Sequence, residues 1–563
     1  MLKHTVLAVA IMAAVTNAEA AKEKNITLAP LGTYETGIFD DGAAEIVAHD
    51  PATQRLFVIN AGENAVDVLD IADPTNPTKL FDIDVSAALP ESGGVNSVAV
   101  RDGLVAIAVE NDDKQANGWA AFYNTDGEFL SAVGAGALPD AITFSPNGRY
   151  AVIANEGEPS SDYQVDPEGS ITVVDLSGGP LAASVAQATF TAFNDQPLPA
   201  GLRAARPFGA TLAQDLEPEF SAVSHDSKTA WVSLQENSGI AVVDLASATV
   251  TAILGLGLKN HSIPGYGLDA SNEDDAINIT QWPVHGAFMP DSIASFRVKG
   301  KSYLLTANEG DGREYIFDIE EDNEEDEAYC EDLIDQAGTF NDGEADDDEC
   351  IVYLDEIRVK DVDLDPAAFP NADWLQEDEN LGRIKVVGTE GDTDGDGDYD
   401  HLVSYGARSI SIWSTDGELV WDSGDTIEQV TALADADNFN STNDENDTFD
   451  DRSDDKGPEP ETAIVGKAFG RDYAFVGLER VGGIMIFDVS MPEDARYVDY
   501  INTRDFNAEN DEEEETLEGV DAGDLGPEGL AFIKAEDSPT GTPLLVVGFE
   551  ISGTTTIFEV LKD

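Results

Sequence analysis

Residues 391 to 403 read GDTDGDGDYDHLV, with five aspartates (Asp392, Asp394, Asp396, Asp398 and Asp400) at alternate positions before an apolar run. Like charges this close repel unless something neutralises them. Calcium does so, because it takes about six to eight oxygen ligands and a loop coiled around it supplies them from alternate positions. With Asp392 at position 1, Asp394, Asp396 and Asp400 fall at 3, 5 and 9 as side-chain ligands. Asp398 falls at 7 and offers its backbone carbonyl. Gly397 at position 6 permits the sharp turn. An EF-hand would carry Glu at position 12; Val403 stands there, so this is a different loop. The missing carboxylate predicts weak, extracellular-type affinity, of about 10⁻⁴–10⁻³ M. The alternative is a solvated acidic turn.

The rest of the chain sets the context. Of 563 residues, 112 are acidic and 30 basic, for a formal net charge of -82. That excludes nucleic acid as a partner, since phosphate binding needs a basic surface, and argues against anionic membranes. It suits a salty medium or one rich in divalent cations. Residues 1–20 read as a secretory signal peptide: Lys3 and His4, an apolar stretch from Val6 to Val15, then Ala18-Glu19-Ala20. Residues 21–563 form the mature domain. No later apolar run reaches the length of about 18 residues that a membrane span needs, and no C-terminal anchor is visible. The expectation is a secreted or periplasmic protein. In that setting the two cysteines, Cys330 and Cys350, predict a structural disulfide.

One pattern repeats along the chain: an acidic residue, an apolar strand, a polar turn, a second strand ending near Glu, and a third ending near Asp. Clear copies cover 139–176, 218–245, 460–489 and 527–560; weaker ones cover 44–71 and 95–124. A seventh, starting at 290, is split and resumes at 407. Groups of three short strands followed by a fourth describe propeller blades. The predicted fold is all-β, a seven-bladed β-propeller. An N-terminal strand within 25–36 completes the last blade, and residues 311–406 form a long acidic insert in the fifth. The count becomes eight if LGRIKVV and HLVSYGA make a blade of their own.

That geometry would gather acids at one channel mouth. First strands start at Glu45, Asn96, Asp140, Glu219, Asp291, Glu461 and Glu528. Second strands end at Glu110, Glu156, Glu236, Glu309, Glu479 and Glu550. Such crowding raises pKa values or draws cations; the architectural alternative is that these acids accept backbone N–H groups. There is no GxSxG, Walker or HExxH motif, and His49, His225, His261, His285 and His401 show no ligand spacing. Arg313, Arg452, Lys456, Arg480 and Arg504 fall near the same mouth, most simply as partners of neighbouring acids.

The Asp-rich stretch also resembles the DxDGDGxxDL loops of integrin-type propeller repeats, from which it departs by His401 before Leu402. The strings LPDAITFSPNGRYAVIANEGEP, DLEPEFSAVSHDSKTAWVSLQEN, DDRSDDKGPEPE, GLERVGGIMIFDV and DLGPEGLAFI resemble the choice-of-anchor I family. That family includes mesenchyme-specific cell surface glycoproteins linked to calcified skeletons, and some bacterial members carry an alkaline phosphatase label. The resemblance implies an extracellular, calcium-associated protein. The expected function is binding of Ca²⁺ together with ions, mineral or an extracellular ligand. The alternative is metal-dependent phosphoester hydrolysis on the acidic face.

Overall fold

The repeats become sheets because their strands alternate β-branched and aromatic residues between Gly, Asn and Asp turns. In the computed structural model, which describes residues 26–319, 324–337, 345–346, 349–511 and 516–563, seven four-stranded antiparallel sheets follow one another. The signal-peptide expectation lies outside the described residues, as do parts of the insert.

Sheet 1 runs from Val47–Asp50 to Thr78–Ile83, sheet 2 from Ser92–Arg101 to Phe129–Ala137 and sheet 3 from Pro139–Phe144 to Ser184–Thr189. Sheet 4 runs from Pro218–Val223 to Thr249–Gly255. Sheet 5 joins Ile293–Val298 and Lys301–Asn308 to Ser409–Ser414 and Leu419–Asp422 across the insert. Sheet 6 runs from Pro460–Ala468 to Arg496–Ile501. Sheet 7 holds Pro527–Ile533, Leu544–Phe549 and Thr554–Leu561, and its fourth strand is the N-terminal Thr27–Glu35. That strand pairs antiparallel with register Thr27↔Leu561 to Glu35↔Thr554.

Second strands such as Tyr150–Asn155 are buried along their whole length, which explains their unbroken apolar runs. They are sandwiched between neighbouring sheets. Separate hydrophobic cores fill the successive spaces from sheets 1 and 2 to sheets 6 and 7. Another, around Leu56, Val58, Val546 and Ile557, lies between sheets 7 and 1. The result is an all-β, propeller-like fold.

The insert departs from the sequence reading in one respect. LGRIKVV and HLVSYGA do not make a separate blade. Lys385–Val387 and Val403–Ser404 join Glu356–Arg358, Leu258–Asn260 and His285–Ala287 in a five-stranded mixed sheet. Its core, including Leu268, Trp282, Ile384 and Leu402, draws on residues that precede sheet 5, a segment the repeat pattern leaves unread. Beside it, Glu314–Asp318 pairs with Glu349–Leu354. Cys350 of that strand is disulfide-bonded to Cys330 of the helix Glu324–Ala337. Among the described residues no helix is long and apolar enough to cross a membrane.

Candidate metal centre

The aspartate loop is held by its two ends. On the C-terminal side Leu402 and Val403 are fully buried. Tyr399 is buried too, and its hydroxyl donates to the Gly388 carbonyl at 2.7 Å. The tip between stays exposed. Asp392 folds it: Oδ1 accepts the N–H groups of Gly395 (2.7 Å) and Asp396 (3.2 Å), and Oδ2 accepts that of Gly397 (3.1 Å). Gly395 (φ 81°) and Gly397 (φ 101°) take the left-handed backbone this turn requires. Asp400 Oδ2 accepts the N–H and hydroxyl of Thr393.

The turn gathers three of the expected ligands. Asp392, Asp394 and Asp400 each offer one carboxylate oxygen, all within 4.8 Å of one another. Asp396 is not in this group; its Oδ1 accepts the Asp398 N–H at 3.3 Å. The charge of Asp396 pushes the Asp394 carboxyl up. Desolvation and Asp396 push that of Asp398 up to about 6. Asp400 goes the other way: the Thr393 hydroxyl and N–H that it accepts hold its carboxyl down.

The acids at first-strand starts and second-strand ends form a second group. The local geometry of the first-strand starts follows from a repeated irregularity: pairing slips between Pro139 and Ile142, Pro218 and Ser221, Pro460 and Ala463, and Pro527 and Leu530. Proline opens the strand where no N–H is needed, and the bulge after it re-aims the following acid. Asp140, Glu219, Glu461 and Glu528 all sit in this bulge. Electrostatically these acids face one another across sheets. Glu528 feels Glu45, Glu550, Asp291 and Asp140; Glu219 feels Glu156, Glu236, Asp140 and Asp291. Burial, then these charges, push Glu45 up to about 8. Burial pushes Asp140 and Glu550 up to about 7, and holds Glu156, Asp291, Glu461 and Glu479 well above the carboxylate range. Asn96 stands where sheet 2 lacks an acid, and its side chain donates to the Pro139 carbonyl at 3.1 Å. Glu110 does accept a backbone N–H, from Gly94 at 2.9 Å. Glu236, Glu461 and Glu528 each leave a buried Oε2 without a hydrogen-bond partner, so backbone capping does not account for the set.

A third cluster already contains its cations. Glu309, Glu459 and Glu479 offer oxygens within 4.8 Å of one another. Lys456 Nζ lies 2.8 Å from Glu309 and 3.5 Å from Glu459. Arg480 reaches Glu459 at 3.1 Å and Glu479 at 3.0 Å, and Arg452 reaches Glu459 at 2.7 Å. Despite full burial, the neighbouring Lys456, Arg452 and Arg480 hold the Glu459 carboxyl far below its usual range. Arg313 pairs with Glu217, and lies 3.9 Å from Glu236. Arg504 is boxed by Asn446 Oδ1 and by the carbonyls of Thr442, Arg480 and Glu445. Glu217 and Glu459 went unnoticed in the sequence. Their signal was there: each stands two residues before a strand-start acid, in the repeated Glu-Pro-Glu.

The model of the choice-of-anchor I domain matches residues 45–492. The chain belongs to the choice-of-anchor I family. Among curated proteins it is similar to Gigasin-3a of Magallana gigas, with 35% identity over 193 residues, covering 33% of this chain and 66% of that protein. It is also similar to the mesenchyme-specific cell surface glycoprotein of Strongylocentrotus purpuratus, with 30% identity over 298 residues, covering 50% of this chain and 36% of that protein. The matched region is therefore just under two thirds of the first relative and about a third of the second. Among solved structures, hydrazine synthase of Kuenenia stuttgartiensis aligns at TM-score 0.43 and 12% identity, covering 94% of this chain and 100% of that chain. The Cps50 (Swd1) β-propeller domain of Myceliophteria thermophila aligns at TM-score 0.41 and 8% identity, covering 95% of this chain and 100% of that chain.

Proposed function

We propose that this member of the choice-of-anchor I family is a calcium-binding protein of the extracellular space, built as a closed seven-bladed β-propeller. Seven sheets in sequence, cores in each gap including that between sheets 7 and 1, and a last sheet completed by the N-terminal strand support the blade count and the closure. The observation that carries the calcium reading is the meeting of Asp392, Asp394 and Asp400. Their donors are all hard oxygens, which suit Ca²⁺ rather than a softer metal. Asp398 would add its carbonyl. The strand-start acids would draw further cations toward the channel mouth, presenting ions, mineral or a cation-bridged ligand to the outside. The disulfide supports an oxidising compartment, and the printed name of the sea-urchin relative, a cell surface glycoprotein, points the same way. A phosphoester hydrolase would need cationic side chains free to hold phosphate. Here Arg313, Arg452, Lys456 and Arg480 are committed to carboxylates, so binding is the better reading.

The test is calcium titration of the purified chain by calorimetry, beside a variant carrying D392A, D394A and D400A. The chain should bind with dissociation constants reaching about 10⁻⁴–10⁻³ M, and the variant should lose the component assigned to the loop. Identical isotherms would remove the loop from the reading. Limited proteolysis adds a structural readout: Ca²⁺ should slow cleavage near residues 391–401.

A further inference from the structure

We propose a second Ca²⁺ site inside the protein, where Asp269 Oδ1, Asp450 Oδ2 and Asn440 Oδ1 supply ligands between the segment beginning at Leu268 and the loop leading into sheet 6. All three residues are interior: Asp269 and Asp450 are each 1% exposed and Asn440 is 0% exposed. All three named oxygens are buried without a hydrogen-bond partner. Every other polar atom of these side chains is engaged. Asp269 Oδ2 accepts the Asn278 N–H. Asp450 Oδ1 accepts the Ser453 hydroxyl at 2.5 Å, and Asn440 Nδ2 donates to the same Ser453 Oγ at 2.9 Å.

One hydrogen-bond network links the three residues. Ser453 ties Asp450 to Asn440. Arg408 then bridges Ser453 to the other segment, donating to the Ser453 carbonyl at 2.8 Å and to the Asp269 carbonyl at 2.6 Å. Asp450 is the strongest single charge acting on Asp269. Two carboxyl groups therefore act on one another in the interior. Arg408 hydrogen-bonds neither carboxylate: its guanidinium donates to Glu428 Oε1 and to the carbonyls of Asp269, Ser453 and Asp455, although its charge does act on Asp450. Among the described residues, no Lys, Arg or His side chain forms an ion pair with Asp269 or Asp450. Burying such a pair without a counter-charge is strongly unfavourable.

The donor set selects the ion. Two carboxylate oxygens and one amide oxygen, with no sulfur or nitrogen, define a hard-cation site. Irregular loops rather than strands provide them, which suits the flexible coordination of Ca²⁺ better than the strict octahedron of Mg²⁺. Backbone strain marks the same residues: Asn440 (φ 46°) and Asp450 (φ 70°) both occupy the left-handed region.

The test uses the full chain carrying D392A, D394A and D400A, which silences the exposed loop. After chelator treatment and Ca²⁺ refilling, native mass spectrometry should show a retained Ca²⁺. Adding Asp269→Asn or Asp450→Asn should each weaken retention at least tenfold, and the two together should abolish it. Thermal unfolding gives an independent readout. Chelator should lower the melting temperature of the parent, and the double-Asn protein should lose most of that shift. No retained ion in the loop-silenced parent would overturn the proposal. So would a number of retained Ca²⁺ ions and a calcium-dependent melting shift that are unchanged by both Asn substitutions. A failure of the exposed loop alone would leave this site standing, because the two share no ligand.

Discussion

At the scale of single residues, Glu459 ties three cationic side chains together. It is 0% exposed and meets Lys456, Arg452 and Arg480. Removing one partner of a buried ion network leaves the others uncompensated, at about 3–5 kcal/mol. Glu459→Ala should therefore lower unfolding free energy by that order in urea titrations, and Lys456→Met should behave similarly. The titration of these acids sets opposite pH dependences. Neighbouring cations depress the Glu459 carboxyl, so its contribution is complete above the ordinary value of 4.5 and is lost as acid protonates it. The acids at first-strand starts and second-strand ends are the reverse. Glu45 at about 8 and Asp140 and Glu550 at about 7 bind more protons folded than unfolded. Stability in chelator should therefore decline as pH rises from about 4 to 8. Thermal melts across that range check the sign, and added Ca²⁺ should flatten the decline.

At the scale of elements, the repeated Pro-acid start explains how sequence becomes site. Proline fixes where the strand begins, and the bulge turns the acid out of the regular alternation. The same steps recur in sheets 3, 4, 6 and 7, so the carboxylates converge without contact between distant sequence segments having to specify each one. The insert is held differently. Its helix is joined to strand Glu349–Leu354 by the Cys330–Cys350 bond. Replacing both cysteines by alanine should cost the insert about 3 kcal/mol in the chain-entropy model. Hydrogen exchange should then rise around residues 324–354 while sheets 1–4 keep their protection; uniform loss would mean the insert and sheets unfold as one unit.

At the scale of the whole molecule, the N-terminal strand is the element on which the arrangement turns. Thr27–Glu35 covers the free edge of Thr554–Leu561. An uncovered edge is a template for pairing with other chains. Deleting residues 26–36 should expose it and give oligomers or aggregates in size-exclusion chromatography, whereas a monomer with unchanged melting would show the strand to be dispensable. The net charge of -82 acts at this scale as well. It resists association at low salt, and its self-repulsion weakens as ionic strength or divalent cation rises.

The strands, their grouping and the turn of the Asp-rich loop were legible because they rest on local rules: alternation, turn residues and aspartate spacing repeat at fixed intervals. The family resemblance was legible for the same reason, carried by contiguous strings. Three things needed the tertiary structure. The five-stranded mixed sheet pairs residues 258–287 with 356–404, a parallel and non-local match that no periodicity announces. The division of acids into those matched by Lys456, Arg452 and Arg480 and those left facing one another depends on distances of a few ångströms between segments far apart in sequence. The unpartnered oxygens of Asp269, Asn440 and Asp450 lie in loops with no motif. Local physics writes the elements into the chain, but charge compensation belongs to space, and only packing decides which carboxylate meets which cation.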